Sequence, residues 1–154
     1  MWTTHSERRI QFVFLGTYSH NLDAKGRLAI PARFREGLAA DAVLSRGADR
    51  CLAIYPKPAW NALCARIGSL PLSDHDARMY SRFLFADATV LEPDGQGRIL
   101  LPADLRTHAG IDRTVCIVGM DVMIEIWAVE AWHHLRVRLD EQMQEIRGRL
   151  AAKV

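Results

Sequence analysis

The feature that most constrains this chain is an internal repeat. Residues 23–35 read DAKGRLAIPARFR and residues 94–106 read DGQGRILLPADLR. At an offset of 71, six of the 13 positions are identical and three more exchange one large apolar residue for another. Unrelated positions match about one time in twenty at ordinary composition, so less than about one identity is expected by chance. The match resumes after a one-residue slip. Gly47 and Asp49 align with Gly119 and Asp121 at an offset of 72, Ile54-Tyr55 with Ile126-Trp127, and Trp60 with Trp132. Each copy thus holds a DxxGR turn, a short strand, a Pro-Ala-x-x-Arg segment, a GxD turn, a strand and a helix opening near a Trp. A unit of about 45 residues present only twice is too little for a solenoid. The pattern predicts an α+β chain in which two such units form one closed, pseudo-two-fold barrel, each half supplying strands the other needs.

Local signals give the elements of each copy. Tyr18 to Leu22 reads as a strand, and Asp23 to Gly26 as a turn in which Gly26 takes a positive φ and Asp23 bonds backbone N–H groups. Leu28 to Ile30 is again extended, until Pro31, lacking an N–H, ends the pairing and opens a short helix over Ala32 to Leu38. A hairpin follows, Ala42 to Ser45 and Cys51 to Tyr55. The second copy repeats the order: strand Ala88 to Leu91, turn Asp94 to Gly97, strand Ile99 to Leu101, and helix Pro102 to Ala109 stopped by Gly110. Its hairpin is Thr114 to Val118 and Val122 to Trp127. Between the copies, Trp60, Leu63, Cys64 and Ile67 mark a helix over Pro58 to Leu70. Ser73 with Asp76 resembles a capping box opening a helix to Phe85. From Glu130 to Leu150, Trp132, Leu135, Leu139, Met143, Ile146 and Leu150 form one apolar stripe, suited to packing on the chain's own barrel, to a subunit contact, or to both. The predicted organisation is an N-terminal flexible segment over 1–11, a first repeat over 12–60, connecting helices over 61–85, a second repeat over 86–130 and a C-terminal helix over 131–154.

Several function classes are disfavoured. Apolar runs are too short to span a membrane, and the stretch after Arg8-Arg9 is too short for a signal peptide and lacks a cleavage site. Cys51, Cys64 and Cys116 are an odd set without CxxC spacing, which argues against a disulfide scaffold or zinc ribbon and for three core thiols in a reducing cytoplasm. No HExxH, GxSxG or P-loop is present. The adjacent His133 and His134 point apart on a helix, and Asp74 and Asp76 beside His75 read as a helix start. The expectation is therefore no catalytic site, metal, cofactor or small-molecule substrate. The net charge of +2 conceals an imbalance. Residues 1–60 carry nine Lys/Arg against five Asp/Glu, and residues 61–154 carry eleven against thirteen. A local basic cluster of this kind fits a polyanion partner.

Phe14 to Leu38 (FLGTYSHNLDAKGRLAIPARFREGL), Ser81 to Arg106 (SRFLFADATVLEPDGQGRILLPADLR) and the two DxxxR motifs resemble the MraZ family over about residues 12–145. The segment Met1 to Val13 has no clear counterpart there, and the second copy is less basic than the first. The resemblance implies two AbrB-like swapped-hairpin units in one chain. It also implies a transcriptional regulator of the bacterial division and cell-wall gene cluster. Such a protein binds double-stranded DNA sequence-specifically, as a ring-shaped homo-oligomer on tandem promoter repeats, in the cytoplasm and on the nucleoid. An AbrB-like antitoxin-type module that binds protein is the rival reading. It is disfavoured because two units are fused and the C-terminal segment is a patterned helix.

On this reading Lys25, Arg27, Arg33, Arg35 and Arg98 contact DNA, since a guanidinium on a rigid turn reaches phosphate or a guanine edge with two hydrogen bonds. Asp23, Gly26, Asp94 and Gly97 fix the turns. Gln96 and Asp104 replace Lys25 and Arg33 in the second copy, so the first copy is expected to dominate the contact.

Overall fold

The structure, a computed structural model, describes residues 13–153; the segment expected over 1–11 lies outside the described residues. The first copy runs β1 (Thr17–Asn21), β2 (Arg27–Ala29), α1 (Ala32–Leu38), β3 (Val43–Arg46) and β4 (Leu52–Tyr55). Helices α2 (Lys57–Gly68) and α3 (His75–Phe85) follow. The second copy runs β5 (Thr89–Val90), β6 (Arg98–Leu100), α4 (Ala103–Ala109), β7 (Thr114–Met120) and β8 (Met123–Ala128), and leads into α5 (Val129–Ala151).

The fold is α+β with antiparallel pairing throughout. Six strands form one sheet in the order β1-β7-β8-β4-β3-β5, and β2 and β6 form a separate two-stranded ribbon. The sheet order is a palindrome under exchange of the copies. Each outer strand pairs with the hairpin of the other copy, β1 on β7 and β5 on β3. The pseudo-dyad runs through the middle pairs. There Ala53 faces Glu125 and Leu28 faces Ile99, which are equivalent residues at the two offsets read from the sequence.

The exchange of strands between halves is as the repeat predicts, but the closed barrel is not. β1 and β5 lie at opposite edges of an open sheet. The ribbon strands use their ladder bonds on each other, and Pro31 and Pro102, without N–H groups, follow the ribbon closely. The ribbon therefore cannot extend to join the two edges.

Strand alternation makes the core. Leu28 and Ile99 from the ribbon, Phe34 and Leu105 from α1 and α4, and Leu44, Leu52, Ile54, Ile117, Ile124 and Ile126 from one sheet face are all buried in a single cluster. Each such side chain contributes about 1.5–3 kcal/mol of burial free energy. On the opposite face Cys51, Cys116, Val118 and Trp127 are covered by Val129, Ala131, Trp132 and Leu135 at the start of α5. The Ser45 hydroxyl, fully buried, donates to the Leu84 carbonyl at 2.6 Å and ties α3 to β3.

Three expectations change. The cap of α3 is Asp74 rather than Ser73: its carboxylate accepts from the backbone N–H of Asp76 at 2.8 Å and of Ala77 at 3.3 Å, satisfying first-turn donors. Cys51 and Cys116 are core thiols, but Cys64 is only half-buried. Helix α5 packs on its own sheet only through its first two turns, and none of its residues is fully buried.

Candidate nucleic-acid interface

Leu28 and Ile99 point from the ribbon into the core, so period-two alternation turns Arg27, Ala29, Arg98 and Leu100 outward. The register sets Arg27 opposite Leu100 and Arg98 opposite Ala29. Both motif arginines therefore stand on one outer face, on either side of the pseudo-dyad.

Each arginine is aimed by its own turn. Asp23 Oδ1 accepts the backbone N–H groups of Lys25 and Arg27, both at 2.9 Å, and Oδ2 accepts from Arg27 Nε at 2.7 Å. The second turn matches it. Asp94 Oδ1 accepts from the N–H groups of Gln96 and Arg98 at 2.9 Å, and Oδ2 accepts from Arg98 Nε at 2.7 Å. This explains the spacing, because residue four of the turn must present both its backbone N–H and its Nε to residue zero. The backbone N–H of the motif arginine, foremost among several donors, holds each carboxyl below its ordinary value. Its contribution to turn stability is full above the ordinary value and is lost as pH falls through the lowered, folded value.

The symmetry is broken at one contact. Arg98 Nη1 also lies 3.6 Å from Asp23 Oδ2, whereas Arg27 and Asp94 make no reciprocal ion pair among the described residues. Binding through Nε leaves the terminal nitrogens of Arg27 without a bonded partner among the described residues, the state in which a guanidinium can grip a phosphate or base edge.

The remaining cations divide. Lys25 and Arg33 are exposed on the turn and on α1. Arg35, exposed overall, is committed at its inner end: its Nε donates to the Ile30 carbonyl at 2.9 Å, and its guanidinium lies against Gly97 of the other copy. Its equivalent Arg106 donates to Leu101 at 3.0 Å and lies against Gly26. A Cβ at Gly97 would sit 2.5 Å from Arg35 Nη1, and at Gly26 3.2 Å from Arg106 Cζ. Both glycines also have positive φ, 78° at Gly26 and 74° at Gly97. The DxxGR glycine is thus needed twice, for the turn and for the arginine that crosses over it. This clamp was not anticipated. Its signal lay in the repeat, where Arg35 and Arg106 are identical although Lys25 and Arg33 are not.

Other chemistry-bearing residues stand apart from this face. Burial, reinforced by the neighbouring Glu125 carboxylate, pushes the Cys51 thiol up to about 12, and burial raises Cys116 as well. Among the described residues no three His, Cys, Asp or Glu side chains gather as a metal set, and no helix is long and apolar enough to cross a membrane.

Comparison with known proteins matches the chain twice to a family profile described as "MraZ protein, putative antitoxin-like", over residues 13–83 and 84–151. A protein named transcriptional regulator MraZ from Thermomicrobium roseum is 48% identical over 142 residues, covering 92% of this chain and 100% of that relative. Proteins of the same name from Herpetosiphon aurantiacus and Pelotomaculum thermopropionicum are 52% and 45% identical. They cover 78% and 87% of this chain and 84% and 92% of themselves.

Proposed function

The chain belongs to the MraZ family, and on that premise we propose that it is a transcriptional regulator that binds double-stranded DNA sequence-specifically through the outer face of the β2–β6 ribbon. The observation that carries this is the pair of guanidiniums, Arg27 and Arg98, each fixed on one face by its own turn's carboxylate through the inner Nε. A two-stranded ribbon fits the major groove of B-DNA, and a guanidinium held in place reads guanine O6 and N7 bidentately. Lys25 and Arg33 add phosphate contacts, which set register and give the salt dependence. Arg35 serves the site from behind, by holding the neighbouring turn.

The units are AbrB-like swapped hairpins in this reading, and the chain works as a ring-shaped homo-oligomer. One unit presents few cations and binds weakly; several linked units on tandem promoter repeats make later contacts intramolecular. The targets are promoters of the division and cell-wall cluster, and the protein acts in the cytoplasm on the nucleoid without cofactor or small-molecule substrate. The antitoxin-type alternative, a protein-binding module, draws support from the family description alone.

The test is footprinting on the protein's own upstream region with particle mass measured in parallel. Protection of evenly spaced repeats by a multimer is the expected result. Uniform, sequence-independent protection would remove the specific-regulator reading.

A further inference from the structure

We propose that the distal half of α5 docks into the groove between α2 and α3 of a second copy of this chain, a head-to-tail contact. The inference rests on the homo-oligomer reading above and names the two surfaces that would make it. The pseudo-symmetry points to it first. Helices α2 and α5 follow equivalent strands, with Trp60 matching Trp132 and Ile67 matching Leu139 at the offset of 72. After α2 the chain turns at Pro71 and comes back as α3, and Ile67 is buried. After the equivalent position α5 runs straight on, 23 residues against 12, and Leu139 stays only half-buried. Its stripe continues through Met143 and Ile146 to the exposed Leu150. The second copy thus carries an apolar helix face without the returning helix that the first copy has.

The groove supplies a complementary surface. It has a volume of about 220 Å³ and is lined by Ile67, Leu70, Leu72, Arg78, Ser81 and Arg82. Leu70 and Leu72 are 43% and 86% exposed, much for leucines beside a groove. Arg78 spends one nitrogen on the Leu72 carbonyl and Arg82 one on the Met79 sulfur; neither meets a carboxylate among the described residues. The α5 stripe is flanked by Asp140, Glu141 and Glu145, so its acidic middle faces two available arginines as its leucine, methionine and isoleucine enter the groove. Pairing of two α5 stripes antiparallel about their acidic middle is worse, because it sets Arg136 and Arg138 against Arg147 and Arg149. Contact between two different surfaces propagates until rotation closes it, which gives a ring.

The experiment measures the mass of the full chain by light scattering across a concentration series. Wild type assembles. Leu139→Asp with Ile146→Asp, and separately Arg78→Glu with Arg82→Glu, each raise the concentration needed for assembly about a hundredfold. Mixed in equal amounts, the two variants form a two-chain species and nothing larger, since each retains the surface that the other lost. Should the aspartate pair fail to fold, Glu141→Arg with Glu145→Arg replaces it; its basic stripe also complements the glutamates of the other variant, so this mixture is expected to regain assemblies larger than two chains. A variant that keeps wild-type mass, or a mixture that stays monomeric while wild type assembles, overturns the docking alone. A wild-type chain that never assembles overturns the homo-oligomer reading and the docking with it.

Discussion

The first copy carries Lys25 and Arg33 where the second carries Gln96 and Asp104, while the aspartate, glycine, both arginines, proline and alanine of the motif are the same in each. The shared residues are those that the pseudo-dyad uses: the carboxylate that aims its own arginine, the glycine that admits an arginine from the other copy, and the arginine that crosses. Neither the glycine nor the crossing arginine can change in one copy alone without disturbing the other, because Arg35 lies on Gly97 and Arg106 on Gly26. The residues that differ point to solvent and were free to diverge. A duplicated unit with a common frame can thus load its cations on one side.

The sharpest way to break this comparison is to delete the motif arginines in turn. Arg27 answers to one carboxylate, whereas Arg98 is within reach of two, Asp94 through Nε and Asp23 at 3.6 Å from Nη1. Arg98 therefore has less donor capacity to offer DNA. A bidentate base contact is worth about 1–3 kcal/mol, and linked units multiply the effect. In a gel-shift assay on the upstream region, Arg27→Ala is expected to weaken binding about a hundredfold and Arg98→Ala about tenfold. Equal losses would show that both copies read DNA alike, and an unaffected Arg27→Ala would remove the site.

Much of this frame was legible in the residues. Alternation and turn chemistry found the strands and α1 because the relevant forces act within a few positions: Gly26 for its φ, Pro31 for its missing N–H, Gly110 for its stop. The equivalence of Leu28 with Ile99 was already in the repeat, and the structure makes it a cross-strand pair. What failed was long-range. Whether β1 meets β5 depends on where the ribbon strands spend their hydrogen bonds, which no local pattern records. The Arg35 clamp is not legible in the sequence because a guanidinium beside exposed Arg33 looks like one more surface cation; the contact with Gly97 of the other copy adds a second role. The α3 cap went to Ser73 on a motif, although Asp74 sits one position nearer the first helical N–H groups and is charged.

The clamp itself tests whether the two halves are interlocked equally. Alanine at either motif glycine costs about 1 kcal/mol for its positive φ. Gly97→Ala adds a tighter collision, 2.5 Å from Arg35 Nη1, than Gly26→Ala, 3.2 Å from Arg106 Cζ. Moving Arg35 aside also breaks its bond to the Ile30 carbonyl, worth about 1 kcal/mol. Urea unfolding should give a loss of about 2–3 kcal/mol for Gly97→Ala and about 1–2 kcal/mol for Gly26→Ala. The reverse order would mean that Arg106, not Arg35, is the more rigid clamp.

The smallest expected effect concerns how α1 and α4 end. At equivalent positions the second copy has Gly110 and the first has Ala39, both with positive φ. Gly110, at φ 63° and ψ 29°, is in the left-handed helical region, and its N–H bonds back to the Arg106 and Thr107 carbonyls. Ala39, at φ 52° and ψ −149°, occupies a region that is essentially restricted to glycine and costs about 1–3 kcal/mol for a residue with a Cβ. Replacing it with glycine relieves that strain but restores freedom to the unfolded chain, which takes back about 0.4–1 kcal/mol. Ala39→Gly should therefore stabilise the protein by about 1 kcal/mol, seen as a higher urea midpoint at unchanged slope, while Gly110→Ala destabilises it by a similar amount. No gain from Ala39→Gly would mean that the first copy closes its helix without strain. Its different ending would then be an adaptation of the loop that follows rather than a cost carried by the first copy.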